Sequence, residues 1–172
     1  LSSYALIFIA FGAPLLFFTK SKLKSWASVI IGFSLLFMGL GELKHAVPSL
    51  GPESGIVQFF VDFKDVWYGP LMFVFLGALV TIVIQSSSAA MALTMTMVAG
   101  GVIPFEVAAA MILGENIGTT ITAELASLIG NVHAKRSARI HSMFNIIGVT
   151  WAILLFPFIL KGISGFIDGD PY

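Results

Sequence analysis

Apolar runs of roughly helical length follow one another along this chain, and the informative places are those where polar residues interrupt them. The first run, residues 4–18, ends at Lys20, Lys22 and Lys24, and the second, residues 26–43, ends near Lys44 and His45. Together they predict N-terminal transmembrane helices within residues 1–45. Residues 46–69 change character. Pro48, Gly51, Pro52 and Gly55 punctuate an extracytoplasmic loop, and the mixed apolar and charged stretch 56–66 predicts a short interfacial helix. Trp67 and Tyr68, just ahead of Gly69 and Pro70, are amphipathic aromatics that favour headgroup level and mark return to the membrane.

Residues 71–99 carry no formal charge, yet Gln85, Ser86, Ser87 and Ser88 sit in their middle. The arm before them, residues 71–84, spans roughly 21 Å as a helix, short of a hydrocarbon core about 30 Å thick. The pattern therefore predicts a re-entrant helical hairpin over 70–101, its polar tip near the midplane and its base closed by Gly100, Gly101 and Pro104. Residues 102–131 are long enough to cross, but Gly114, Glu115, Asn116, Gly118, Thr119 and Thr120 predict a broken transmembrane helix there. A basic cytoplasmic loop is expected over 132–142, holding Lys135, Arg136 and Arg139, and a C-terminal transmembrane helix and tail over 143–172. Both basic clusters fall on the cytoplasmic side only if 70–101 turns back, as the positive-inside tendency favours.

Composition makes the bilayer the expected solvent: 58% of residues are apolar, 10% are charged, and the mean hydropathy is +0.99. The formal net charge of +0 gives no footprint for nucleic acid. With no cysteine, disulfides, thiolate metal sites and thiol chemistry are excluded. The first apolar run has neither a basic leader nor a small-residue cleavage site, so it reads as a helix rather than a signal peptide. Beginning at Leu1, the chain reads as a portion of a longer protein.

The chemistry sits in two segments. In QSSS, three hydroxyls and an amide offer donors and acceptors without a fixed charge. If a new helix opens at Ser88 or Ala89, its free N–H groups and dipole point at the same anion. Thr81, Gln85 and Ser88 share a face if the first arm instead continues through the tip. The alternative is that the serines cap, back-bond or pack. In GENIGTT, the Asn116 amide, the Thr119 and Thr120 hydroxyls and unwound carbonyls suit an alkali cation such as sodium. The alternative there is a close contact through Gly114 and Gly118 with the threonines back-bonded. Glu115, an acid amid apolar residues, has a possible charge role, either countering a cation or reaching a basic partner. Glu124 is expected to pair with Lys135 or Arg136. His133 and His141 show no metal-ligand spacing, and the only metal foreseen is sodium.

TIVIQSSSAA, followed by GENIGTTITAELASL and AKRSARIHSMFNIIG, resembles the type II sodium/phosphate cotransporter family in its bacterial branch, over roughly residues 25–160. The resemblance implies an all-α integral membrane protein, one half of an inverted-repeat transporter, in the bacterial inner membrane. Its partner would be a second inverted repeat of the same full-length chain or a second copy in a dimer. It also implies that Gln85, Ser86, Ser87 and Ser88 bind inorganic phosphate, that Gln85, Ser88, Asn116, Thr119 and Thr120 bind sodium, and that no cofactor beyond this coupling ion is needed. Glu115 departs from the family pattern, where a small residue is frequent. The activity implied is sodium-coupled phosphate symport by alternating access rather than an enzymatic reaction. An anion channel and a non-transporting structural repeat are the alternatives. An intramembrane serine hydrolase lacks a GxSxG turn.

Overall fold

The computed structural model describes residues 4–18, 21–46 and 53–166. Among them every regular element is an α-helix: α1 (Ala5–Leu15), α2 (Ser21–Ala46), α3 (Gly55–Lys64), α4 (Gly69–Ile84), α5 (Ser87–Ala99), α6 (Phe105–Ser127), α7 (Val132–Leu154) and α8 (Phe156–Phe166). Lys20, the loop residues Pro48, Gly51 and Pro52, and the tail 167–172 lie outside the described residues. The chain divides into two compact units, Leu1–Pro48 and Ser49–Tyr172.

In the first unit α1 folds back on α2. Ala27, Ile31 and Ser34, spaced i, i+4 and i+7, form the inner face of α2, and Gly12 lets α1 approach Ile30 and Ile31. Ser34 spends its hydroxyl on its own helix, donating to the Ile30 carbonyl at 2.6 Å. The stretch Ser21–Leu43 is long and apolar enough to cross a membrane, and its outer faces leave Trp26, Val29, Phe33 and Leu36 exposed.

The second unit is built on α4 and α6, packed with backbones almost touching. A Cβ added at Gly77 would strike the Met111 carbonyl oxygen, and one at Gly114 the Val74 carbonyl oxygen; at Gly118 it would lie 2.6 Å from the Ala78 oxygen and 2.8 Å from Thr81 Cβ. Small residues along this seam are what let the two backbones approach so closely. Residues 77 to 81 of α4 advance as residues 111 to 118 of α6 advance, so the two helices run parallel. Away from the seam, Leu71, Phe75, Leu79 and Val83 form an exposed apolar stripe at i+4 spacing.

α5 returns alongside them. Phe73, near the start of α4, meets Phe60 of α3 with ring centroids 5.8 Å apart. Val98, near the end of α5, lines a cavity with Val57 and Val61 of the same α3. The start of α4 and the end of α5 thus lie at one end, and the two helices form a hairpin whose apex is Gln85 and Ser86.

Three sequence expectations need correction. α6 runs unbroken from Phe105 to Ser127, GENIGTT included. Its glycines serve the seam with α4, and Asn116, Thr119 and Thr120 bond carbonyls of their own helix, so no carbonyl is unwound. The basic segment 132–142 is helical rather than a loop: Asn131 Oδ1 accepts from the Ala134 N–H at 2.9 Å and opens α7 at Val132. The apolar run expected as one C-terminal helix instead bends by 71° between α7 and α8. Pro157, lacking an N–H and crowding the carbonyl four residues back, accounts for the break.

Candidate functional site: the hairpin apex and the facing stretch of α6

α4 stops at Gln85 because that residue takes the left-handed conformation, φ 57° and ψ 23°, while its N–H still bonds the Thr81 carbonyl at 2.7 Å. Among the described residues it is the only non-glycine with positive φ, a strained conformation for a residue with a Cβ. Ser86 then swings to extended backbone and caps α5, its Oγ accepting from the Ala89 N–H at 3.3 Å. One serine is therefore a cap, as the alternative for this segment expects. The others are not so engaged. The side chains of Gln85, Ser87 and Ser88 make no hydrogen bond within the described residues, and the N–H groups of Ser87 and Ser88 open the first turn of α5 without an intrahelical partner. The amide, two hydroxyls, two N–H groups and the positive end of the α5 dipole converge at one polar apex on apolar arms. The Thr81, Gln85, Ser88 face expected of a continuous helix does not form, since the chain turns at Gln85.

The second cluster lies on one face of α6. Asn116 Nδ2 donates to the Ile112 carbonyl at 3.0 Å, which leaves its Oδ1 outward on an exposed side chain. Thr119 Oγ1 donates to the Glu115 carbonyl and Thr120 Oγ1 to the Ile117 carbonyl, each at 2.8 Å. A back-bonded hydroxyl has used its proton and keeps its lone pairs, so these oxygens are acceptors held in fixed rotamers. Thr81 abuts Gly118, and Gln85 lies one helical turn, about 5 Å, beyond Thr81. The apex thus overhangs the level of Thr119 and Thr122. No hydrogen bond joins the QSSS cluster to Asn116, Thr119 or Thr120 among the described residues.

Glu115 belongs to neither cluster. Its side chain is 1% exposed and turns to the return arm, where Thr94 Oγ1 donates to its Oε1 at 2.7 Å. Its Oε2 is buried without a hydrogen-bond partner, as is the Thr81 Oγ1. α4, α5 and α6 carry no basic residue, so no cationic side chain on these three helices faces the carboxyl. Thr94 is the residue that reading the sequence missed. The signal was there, because a buried acid needs a donor and the return arm offers few. Glu124, expected to pair with Lys135 or Arg136, instead accepts from Ser142 Oγ at 2.7 Å.

Comparison with known proteins points one way. A family described as Na+/Pi-cotransporter matches residues 63–166. The chain is 30% identical over 156 residues to the uncharacterized protein YqeW of Bacillus subtilis, covering 90% of this chain and 48% of that protein. It is 30% identical over 141 residues to a protein of Escherichia coli named, provisionally, inorganic phosphate export protein YjbB, covering 81% and 25%. It is also 30% identical over 128 residues to human sodium-dependent phosphate transport protein 2B, covering 70% and 18%. The chain therefore spans about half or less of the length of these relatives. No solved structure matches it.

Proposed function

Since this chain belongs to the Na+/Pi-cotransporter family, we propose that it is one repeat of a sodium-coupled phosphate symporter, working by alternating access in the bacterial inner membrane. The relatives named for sodium-dependent phosphate transport support both the substrate and the coupling ion. The carrying observation is the apex at Gln85 and Ser86, where a strained residue and a capped helix start leave Ser87, Ser88 and the Gln85 amide free on apolar arms. In this reading Gln85, Ser86, Ser87 and Ser88 take phosphate, with Ser86 acting through the helix start that it caps. Sodium is held by side-chain oxygens of Gln85, Ser88, Asn116, Thr119 and Thr120, with no unwinding of α6. A second, inverted copy of the unit, in the same longer chain or in a dimer, completes the site, and the hairpin is re-entrant.

Coupling follows from the cost of burying charge. A phosphate with one or two negative charges loses too much hydration at mid-membrane for hydroxyls alone to replace. Sodium offsets that loss, and by linkage each ligand then raises the affinity for the other by the same factor. Inward movement of each elementary positive charge through 100 mV adds about 2.3 kcal/mol to accumulation.

The test uses the full-length protein in proteoliposomes. Uptake of labelled phosphate is expected to saturate, to follow an imposed inward sodium gradient and to stop when potassium replaces sodium. Uptake indifferent to that gradient would remove the symport reading, and linear, non-saturating flux would favour the anion channel.

A further inference from the structure

The hairpin that forms the apex is held by its two arms in different ways. α4 is fixed along its length by backbone contact with α6, ending at Thr81 beside Gly118, one turn short of Gln85. α5 has no such seam. Its buried face consists of Ala90 and Thr94, each 0% exposed, with Thr96 at 9%. Small side chains at such a surface offer little shape to fix height or rotation. Thr96 does not help, because its hydroxyl bonds its own Ala92 carbonyl at 2.7 Å. What ties the return arm to α6 through side-chain hydrogen bonding, among the described residues, is the Thr94 hydroxyl on Glu115 at 2.7 Å.

A carboxyl is a costly way to supply one acceptor oxygen. Its second oxygen, Oε2, is buried without a partner, and a group that gives up stability for no local gain is the signature of a functional element. Thr94 lies eight residues from Ser86, about 12 Å along α5, so a small tilt at the Thr94 contact is levered into a displacement of the apex.

We propose that Glu115 and Thr94 form a latch that sets the position of the return arm, and through it the geometry of the Ser86 cap and the first turn of α5. Glu115 is a positioning residue for the apex, acting through Thr94. The latch closes when the apex is in its binding geometry and opens when the hairpin moves against α6. This rests on the transport reading above, and the measurements are chosen so that the two fail separately.

Three variants of the full-length protein decide it: Thr94→Val, which keeps the shape and removes the donor, Thr94→Ser, which keeps the donor, and Thr94→Val combined with Glu115→Ala. Thr94→Val is expected to raise KM for phosphate about tenfold while the maximal rate per folded protein changes less than threefold. Thr94→Ser returns KM to within about twofold of wild type. The double variant is no worse than Thr94→Val alone, because the two residues act through one bond. The second readout needs no transport: a lone cysteine replacing Ala89 beside the apex, on a cysteine-free background, reacts with a water-soluble thiol reagent at a rate that Thr94→Val changes and Thr94→Ser restores. Wild-type KM and labelling in Thr94→Val would overturn the latch. So would equal defects in Thr94→Val and Thr94→Ser, or a loss confined to the amount of folded protein. Absence of phosphate transport in the wild type would overturn the transport reading and leave labelling to decide the latch.

Discussion

QSSS and GENIGTT are alike as text, each a short polar insertion in a long apolar stretch, yet the backbone turns at one and runs straight through the other. At the apex no glycine is present; Gln85 itself takes the left-handed conformation, and Ser86 gives its oxygen to the start of a new helix. In α6, Asn116, Thr119, Thr120 and Thr122 each bond a carbonyl three or four residues back, which leaves the helical ladder intact. The difference is the direction of the side-chain hydrogen bond. A serine that accepts from an N–H ahead of it starts a helix, and a threonine that donates to a carbonyl behind it stays within one. Glycine, the residue that most suggests a break, here lets α6 lie flush against α4.

The sharpest way to break this comparison is to fill the seam. In Gly114→Leu even the first carbon of the new side chain would overlap the Val74 carbonyl oxygen, and backbone on both sides has nowhere to go. The loss should exceed about 4 kcal/mol, the range of severe core disruptions. It should appear as failure to recover a monodisperse protein in detergent. Gly148→Ala in α7, where an added Cβ meets nothing within 4 Å, should be neutral or stabilising by up to about 1 kcal/mol. If Gly114→Leu folds normally, Gly114 is not a packing residue and a local opening of α6 returns as an explanation for GENIGTT.

The apex predicts a change of opposite sign in two measurements. Gln85→Gly relieves a left-handed residue that costs about 1 kcal/mol, so melting in detergent should be unchanged or raised. It also deletes the amide, so KM for phosphate should rise about tenfold, equivalent to about 1.4 kcal/mol of lost binding. A clear fall in melting temperature with KM unchanged would make Gln85 a structural turn residue and take the apex out of the site.

The turn between α4 and α5 was legible from Gln85 to Ser88, uncharged polar residues set in the middle of an apolar stretch. The helix α3 followed from a local signal of the same kind, the mixed apolar and charged stretch 56–66. The continuity of α6 was not legible. Gly114 and Gly118 read equally well as a break or as a seam until α4 is laid beside them, and what decides is a contact between residues about 40 apart in sequence. The helical start of α7 is hidden for another reason: a run of basic residues reads as a loop, while the local cap at Asn131 carries the information. Thr94, one of two threonines on an otherwise apolar stretch of α5, has no pattern of its own. Only the unmet need of Glu115 singles it out.

The finest test of the comparison asks whether a straight helix contributes to ion binding at all. Thr119 and Thr122 make equivalent bonds, each hydroxyl donating at 2.8 Å to a carbonyl of the same helix, so removing either hydroxyl should alter stability by less than about 0.5 kcal/mol. Their lone pairs differ in the job assigned to them. Thr119→Val should raise the sodium concentration for half-maximal uptake about fivefold, equivalent to about 1 kcal/mol, whereas Thr122→Val should leave it unchanged. Sodium titrations of phosphate uptake at fixed membrane potential measure both. Equal behaviour of the two variants would mean that α6 binds no ion through Thr119, and that its polar residues serve the helix alone, leaving the apex to hold sodium as well as phosphate. Unequal behaviour would show that a helix need not unwind to offer oxygen ligands, because back-bonding fixes the hydroxyl protons and points the lone pairs outward.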